Sequence, residues 1–336
     1  MFRSSVFSAG ALLAGLLTNL PASAGHHVLP IDNHVVTADA SIRQTWLARA
    51  VEALAAMADA DALVTAAVLS QSMPDGSAQT IALLDRATAA APRAADIARL
   101  STALCKEHPP CDALQREARL RRIDPDNGEA WTAALHDASV HADQQRIDEV
   151  IGQMAHARRF DLYYHAPGQR FIAALQRIPP PPGGPGDSIE ARQQVEIMAI
   201  VAAFALPALP DLTHACKPGT PAGDARRGDC HAIALSMERG DSLIANMLGL
   251  RLHEWTAHDA ADRTKAQQQQ NRLRWKMNQL RQIQGAGTGL VANQITAMLA
   301  HANEVDGIDA RLAEAGLPLN PPADWKPPIA RNASGR

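Results

Sequence analysis

The chain has 336 residues, of which 46% are hydrophobic, 20% charged and 4% aromatic, and its formal net charge is −3. This composition provides enough apolar material for one or two buried cores, excludes a disordered chain, and gives no electrostatic reason to expect a nucleic acid partner. Because helix formers dominate while β-branched and aromatic runs are scarce, we predict an all-α fold and exclude a β-sandwich.

The first 24 residues have the features of a signal peptide. Arg3 provides the positive charge, residues 6–20 form an apolar stretch, and Ala22-Ser23-Ala24 is a cleavage signal of the A-x-A type. An uncleaved N-terminal anchor is the alternative, but the apolar stretch is short for a membrane span. We therefore predict a periplasmic or secreted protein with no integral membrane segment after processing.

The predicted mature chain begins with a short segment, residues 25–40, whose first residues are Gly25-His26-His27. A free amine at Gly25, two deprotonated amides and the imidazole of His27 would form a square-planar nitrogen set. Such a set suits Cu(II) or Ni(II). A metal-handling envelope protein is therefore one hypothesis, and it depends on cleavage after Ala24.

Helical periodicity begins near Ser41, and the chain then repeats with a period of 34 residues. Leu63, Ile97 and Trp131 occupy equivalent positions, and each opens an amphipathic helix that is followed by a turn and a second helix. The predicted second helices cover residues 78–88, 111–122 and 144–157.

The segment Ile123–Trp131 resembles the junction between tetratricopeptide repeats, and Asp75-Gly76 sits where that family turns between its two helices. The resemblance covers about residues 60–161. It implies a stack of helical hairpins, within a predicted domain at 41–178, whose concave groove holds a protein or peptide partner. An irregular bundle with hairpins of similar length is the alternative.

The resemblance also implies which residues would face the groove. They are Val68, Thr102 and His136, and none is a lysine, arginine or asparagine. The carboxylate clamp of the family's peptide-tail binders is therefore missing, and the sequence does not identify the ligand.

Four cysteines lie in the predicted mature part, as expected in an oxidising compartment. They allow three connectivities. The local pairs Cys105–Cys111 and Cys216–Cys230 are favoured because each would close a connection between helices. A zinc site is the alternative, but no C-x-x-C pair is present.

The proline- and glycine-rich stretch at 179–187 predicts a linker before a C-terminal helical domain at 188–316 and a proline-rich tail at 317–336. The predicted helices of this domain cover residues 230–239, 242–257, 259–284, 288–304 and 306–315. The helix at 259–284 is basic in its second half. Contact with an anionic surface is one interpretation, but a solvated face is favoured.

The block Gly240-Asp241-Ser242-Leu243 resembles the motif of the GDSL esterases and lipases, in which the serine is the nucleophile. That family places it after a strand and adds a D-x-x-H pair. Here the block lies between two helical patterns and no such pair follows. We therefore predict a helix junction in which Asp241 or Ser242 caps the next helix, and Ser242 is the one candidate nucleophile.

His253 and His258 resemble a zinc-protease motif with one residue too many. At about 100° per residue, they diverge by about 140° and cannot share a helix face. No two of the 13 histidines are three or four residues apart. The sequence therefore predicts no metal site on a single helix, and we predict no cofactor.

These observations favour an exported, non-catalytic protein- or peptide-interaction module of the bacterial envelope type. Two alternatives remain. One is a serine hydrolase that uses Ser242, and the other is a metal-handling protein that binds Cu(II) at its mature N-terminus.

Overall fold

A computed structural model describes residues 33–73, 76–105, 108, 111–180, 209–285 and 300–327. These residues form helices and connecting turns, with no β-strand among them, which confirms the predicted all-α fold. The predicted signal peptide, the Gly25-His26-His27 segment and most of the predicted linker lie outside the described residues, as does most of the predicted helix at 288–304.

The α-helices are numbered here in chain order, and one short 3₁₀ turn at Gly128–Trp131 lies between α5 and α6. Their bounds are α1 Asn33–Met57, α2 Ala60–Ser70, α3 Ser77–Ala90, α4 Ala95–Cys105, α5 Ala113–Ile123, α6 Thr132–Val140, α7 Gln144–His156, α8 His165–Leu175, α9 Leu209–Ala215, α10 Pro221–Ala225, α11 Arg227–Met237, α12 Leu243–Thr256, α13 Ala260–Gly285 and α14 Glu304–Glu314.

The predicted helix bounds agree closely with these, except at the N-terminus. Helix α1 begins at Asn33, although the periodicity predicted a start near Ser41. Residues 33–40 contain neither proline nor glycine, so nothing in this stretch stops the helix from extending toward Pro30.

Side-chain caps explain where several helices start. Asp59, Asp143, Ser242 and Asn303 each accept a hydrogen bond from the backbone N–H three residues later, at the beginning of α2, α7, α12 and α14. Such a cap satisfies one of the amides that have no partner inside the helix.

The chain divides into two compact units that interleave along the sequence. Among the described residues, unit 1 contains those up to 123 and those at 166–180, and unit 2 contains those at 124–165 and those from 209 onward. The units therefore do not follow the predicted order of one domain at 41–178 and another at 188–316.

In unit 1, successive helices from α1 to α5 pack against one another around a leucine-rich core. The guanidinium of Arg170, on α8, donates to the carboxylates of Asp96 on α4 and Asp61 on α2. Cys105 and Cys111 form a disulfide across the α4–α5 connection. Successive packing is compatible with many helical arrangements, so the tetratricopeptide resemblance stays a prediction.

In unit 2, helix α11 packs against α7 and α12, α12 packs against α13, and α13 packs against α14. The side chains of Phe160, Ile151, Ile233 and Leu252 are fully buried in this core. A disulfide joins Cys216 to Cys230 and fastens the start of α11 to the segment after α9. No described helix combines the length and the apolar character that crossing a membrane requires.

Candidate metal centre

Three side chains of unit 2 converge at one place, which we call the His–Asp cluster: His231 on α11, His253 on α12 and Asp262 in the first turn of α13. One ligand atom from each residue lies within 4.8 Å of the other two. The cluster therefore draws on three different helices.

A glycine brings two of these helices close together. Gly249 lies one turn before His253 on α12, and a Cβ atom built on it would lie 2.8 Å from the Cβ of Met237 and 2.7 Å from the backbone nitrogen of Glu238. Because any larger residue would push the helices apart, Gly249 allows His253 to reach the residues of α11 and Glu238.

The third ligand is positioned by a tight connection. Helix α12 ends at Thr256 and α13 begins at Ala260. The backbone N–H of Asp262 donates to the carboxylate of Asp259 over 2.8 Å, and the backbone N–H of His258 donates to Asp262 Oδ2 over 3.2 Å. These two bonds hold the Asp262 carboxylate toward His253.

His253 is 0% exposed, and both of its ring nitrogens face carboxylate oxygens. Nδ1 is hydrogen-bonded to Glu238 Oε1, and Nε2 lies 2.8 Å from Asp262 Oδ1. Because carboxylate oxygens are hydrogen-bond acceptors, each ring nitrogen must carry a proton toward its neighbour or, at Nε2, share a metal ion with it. A carboxylate on the far nitrogen of a histidine is also how proteins orient metal-binding imidazoles.

His231 is 8% exposed, and its Nε2 lies 3.8 Å from Asp262 Oδ2. On the other side of the ring, Nδ1 lies 3.4 Å from the hydroxyl of Thr256. Burial lowers the pKa of His231, and the neighbouring His258 lowers it further, although the Asp262 carboxylate acts in the opposite direction. A neutral imidazole with a free lone pair is the form that binds metals.

The Asp262 carboxylate is suited to remain charged. The hydrogen bond from His253 lowers the pKa of Asp262, and it outweighs the opposing effect of burial. An anionic oxygen next to two imidazole nitrogens is the donor set of many zinc sites, whereas Mg²⁺ and Ca²⁺ prefer oxygen ligands alone.

The distances come near those of a tetrahedral ion of this kind. Metal–ligand bonds of about 2.0–2.1 Å place adjacent ligand atoms about 3.4 Å apart. The pairs in the cluster are separated by 2.8 Å (His253 Nε2 to Asp262 Oδ1) and 3.8 Å (His231 Nε2 to Asp262 Oδ2). The two pairs use different oxygens of Asp262, and the three ligand atoms lie within 4.8 Å of one another, so side-chain rotation must draw them together around one ion.

The structure assigns other roles to the residues of the GDSL-like block. Ser242 is 1% exposed, and its hydroxyl accepts a hydrogen bond from the backbone nitrogen of Ala245 over 3.1 Å, which confirms the predicted helix cap. The Asp241 carboxylate accepts hydrogen bonds from the backbone nitrogens of Leu162 and Tyr164 over 2.7 and 2.6 Å. The block is therefore a junction between helix α12 and the 162–164 loop.

Two of the three residues predicted to face a binding groove have little exposed surface. Val68 and Thr102 are only 4% and 7% exposed, and both belong to unit 1. His136 belongs to unit 2 and is exposed, with its Nδ1 2.9 Å from Asp211 Oδ2. The burial of Val68 and Thr102 leaves little of their side chains for contact with a partner, and the groove stays a prediction.

The cysteine prediction is confirmed. Both local pairs, Cys105–Cys111 and Cys216–Cys230, form disulfides, so none of the four cysteines is available as a metal ligand. The Gly25-His26-His27 set lies outside the described residues.

The sequence argument about histidine spacing missed the cluster because it considered ligands on a single helix. His253 and Asp262 are nine residues apart and belong to two helices, and His231 comes from a third. The available signal was the concentration of His253, His258 and Asp262 around one helix connection.

Comparison with known proteins found no match: no protein-family model, no curated protein and no solved structure matches the chain.

Proposed function

We propose that this chain is an exported, non-catalytic protein that binds a divalent transition-metal ion of the Zn²⁺ class at the His–Asp cluster. One observation carries the proposal: His231, His253 and Asp262 place two imidazole nitrogens and a carboxylate oxygen within 4.8 Å of one another. The same donor types hold Zn²⁺ in many proteins.

The surroundings of His253 support this proposal. The Glu238 carboxylate bonded to its Nδ1 fixes the ring so that Nε2 points toward Asp262. Buried carboxylates are costly unless positive charge compensates them. A metal ion bound to Nε2 and Asp262 would supply that charge at the centre of the cluster.

Export is supported by the cysteines and by the predicted signal peptide. Both cysteine pairs are joined, as is common in proteins of the periplasm and the extracellular space. Residues 1–24 carry the sequence features of a cleaved leader. We therefore propose a periplasmic or secreted location.

Metal binding replaces the protein- or peptide-interaction hypothesis as the leading proposal. That hypothesis depended on a groove at Val68, Thr102 and His136, and the first two are buried. The hydrolase alternative is disfavoured because Ser242 is engaged as a buried helix cap.

The test is a calorimetric Zn²⁺ titration of the mature chain with its disulfides intact, after removal of metal with a chelator. We expect equimolar binding at the cluster. Asp262→Asn and His231→Gln should each weaken the Zn²⁺ affinity by roughly 10–100-fold or more. Loss of a residue that only orients a metal ligand already has an effect of this size. Circular dichroism of each variant would show whether the helices remain folded.

Two control variants separate this site from others. His141→Gln removes an exposed histidine of unit 2 and should leave the Zn²⁺ affinity unchanged. Replacing His26 and His27 with alanine removes the predicted N-terminal Cu(II) set and should also leave it unchanged. An absence of Zn²⁺ binding by the wild-type chain would overturn the proposal, and so would equal affinity in folded Asp262→Asn and His231→Gln.

A further inference from the structure

The His–Asp cluster supplies three ligand atoms, and a tetrahedral ion needs a fourth. In proteins, a fourth position filled by a side chain makes a closed site, whereas one filled by water makes an open site that can act on a substrate. The identity of the fourth ligand therefore decides what kind of metal site this chain could form.

We infer that His258 provides the fourth ligand and closes the site on its solvent side. This inference rests on the proposed function. His258 lies in the connection between α12 and α13, and its ring centroid is 4.2 Å from that of His231, with an angle of 55° between the rings. An imidazole of the required type is thus already next to one of the ligands.

The backbone of His258 is fastened to the cluster as well. Its N–H donates to Asp262 Oδ2 over 3.2 Å, so the Cα atom stays close to the ligand carboxylate. The side chain of His258 is exposed, and a change of rotamer would give up its ring contact with His231 but no core packing. The ring can therefore turn toward the metal while the backbone keeps its place.

The other polar groups around the cluster are less suitable. Glu238 is engaged on the far nitrogen of His253, and the hydroxyl of Thr256 donates to Leu252 O over 2.7 Å. Lys265, whose charge reaches His231, is a cation and repels a metal ion. Among these neighbours, His258 is the one with a nitrogen donor suited to Zn²⁺.

This assignment gives a site with three nitrogen ligands and one oxygen ligand and with no open coordination position. Such a site would cross-link α11, α12 and α13 and would hold the ion without offering it to a substrate. As the exposed ligand, His258 would dissociate first when the ion leaves, and while bound it would slow that release.

The experiment compares the wild-type chain with His258→Ala after loading with Co²⁺, which reports coordination through its visible absorption. We expect the intense bands of four-coordinate Co²⁺ in the wild-type protein and, in the variant, bands of changed position and lower intensity because water replaces an imidazole. The Zn²⁺ affinity of the variant should fall at least about 10-fold, since loss of a residue that only orients a ligand already has this effect. Transfer of Zn²⁺ from the variant to a chelator should also become faster.

His141→Ala is the matched control, since it removes an exposed histidine of unit 2 outside the cluster and should change none of these properties. His258→Gln, with a similar size and no imidazole, should behave like His258→Ala. If the wild-type chain binds Zn²⁺ and both His258 variants keep its affinity and its Co²⁺ spectrum, the site is open and the inference about His258 fails alone. If the wild-type chain binds no Zn²⁺, the proposed function fails with it.

Discussion

Glu304 is the first residue of α14, and it is hydrogen-bonded to the chain at Asp241 and Leu243. Its Oε2 accepts a hydrogen bond from the backbone N–H of Leu243 over 2.7 Å, and its own N–H donates to Asp241 O over 2.9 Å. Burial raises the pKa of Glu304 to about 7, and the charge of Asp241 adds to this effect, although the bond from Leu243 opposes it. Ionised Glu304 is therefore disfavoured in the folded chain.

This residue should make folding stability depend on pH. A carboxyl whose pKa is higher in the folded state stabilises the fold fully below its unfolded-state pKa, near 4.5, and the contribution is lost as pH rises through about 7. We expect Glu304→Gln to abolish this loss, which should amount to roughly 1–3 kcal/mol in the free energy of unfolding. Urea denaturation at pH 5 and pH 8.5 measures it.

Glu314→Gln is the matched control, because Glu314 lies at the other end of the same helix and its side chain is well exposed. This variant should keep the wild-type pH dependence. An unchanged pH dependence in Glu304→Gln would show that Glu304 titrates normally.

At the scale of one element, helix α12 depends on the residue that caps its start. The hydroxyl of Ser242 accepts from Ala245 N over 3.1 Å, and this bond satisfies an amide that the helix itself leaves without a partner. We expect Ser242→Ala to lower the free energy of unfolding by about 1 kcal/mol, as for other lost caps. Chemical denaturation measures the change.

Ser72→Ala, at an exposed serine after the end of α2, should change the stability little. A serine-reactive phosphonate should not label the folded wild-type chain, because Ser242 is buried and committed to the helix. Labelling of Ser242 in the wild type would restore the hydrolase hypothesis.

The helices themselves were largely predictable. Apolar periodicity and the prolines or glycines at helix ends are local signals. Accordingly, α7 at Gln144–His156 and α12 at Leu243–Thr256 follow the predicted ranges within a residue. The face that each helix buries is a different matter. Val68 lies on α2 as expected, but its side chain is only 4% exposed.

At the scale of the whole molecule, each compact unit contains one disulfide, Cys105–Cys111 in unit 1 and Cys216–Cys230 in unit 2. A disulfide restricts the unfolded chain, and the restriction grows with the length of the closed loop. Replacing the two cysteines of one pair with alanine should therefore lower the free energy of unfolding. The expected loss is about 2 kcal/mol for the shorter loop and about 3 kcal/mol for the longer one.

Hydrogen exchange followed by mass spectrometry can assign these effects to the units. We expect the Cys105/Cys111 variant to exchange faster in α4 and α5, and the Cys216/Cys230 variant to exchange faster in α9 and α11. Equal protection in the wild type and in both variants would contradict a stabilising role for the disulfides.

The sequence by itself determined the features that depend on neighbours along the chain. The all-α fold, the local cysteine pairs and the cap at Ser242 follow from helix propensity, short loop closure and hydrogen bonds to nearby amides. Each involves residues fourteen positions apart or fewer, so their proximity is already present in the chain.

Only the tertiary structure decided the features that depend on how helices pack. His231, His253 and Asp262 come from three helices, and they meet because Gly249 allows α11 and α12 to approach and the chain turns sharply into α13. No spacing rule for one helix contains that information. The candidate metal site arises from side chains that packing, and not sequence distance, brings together.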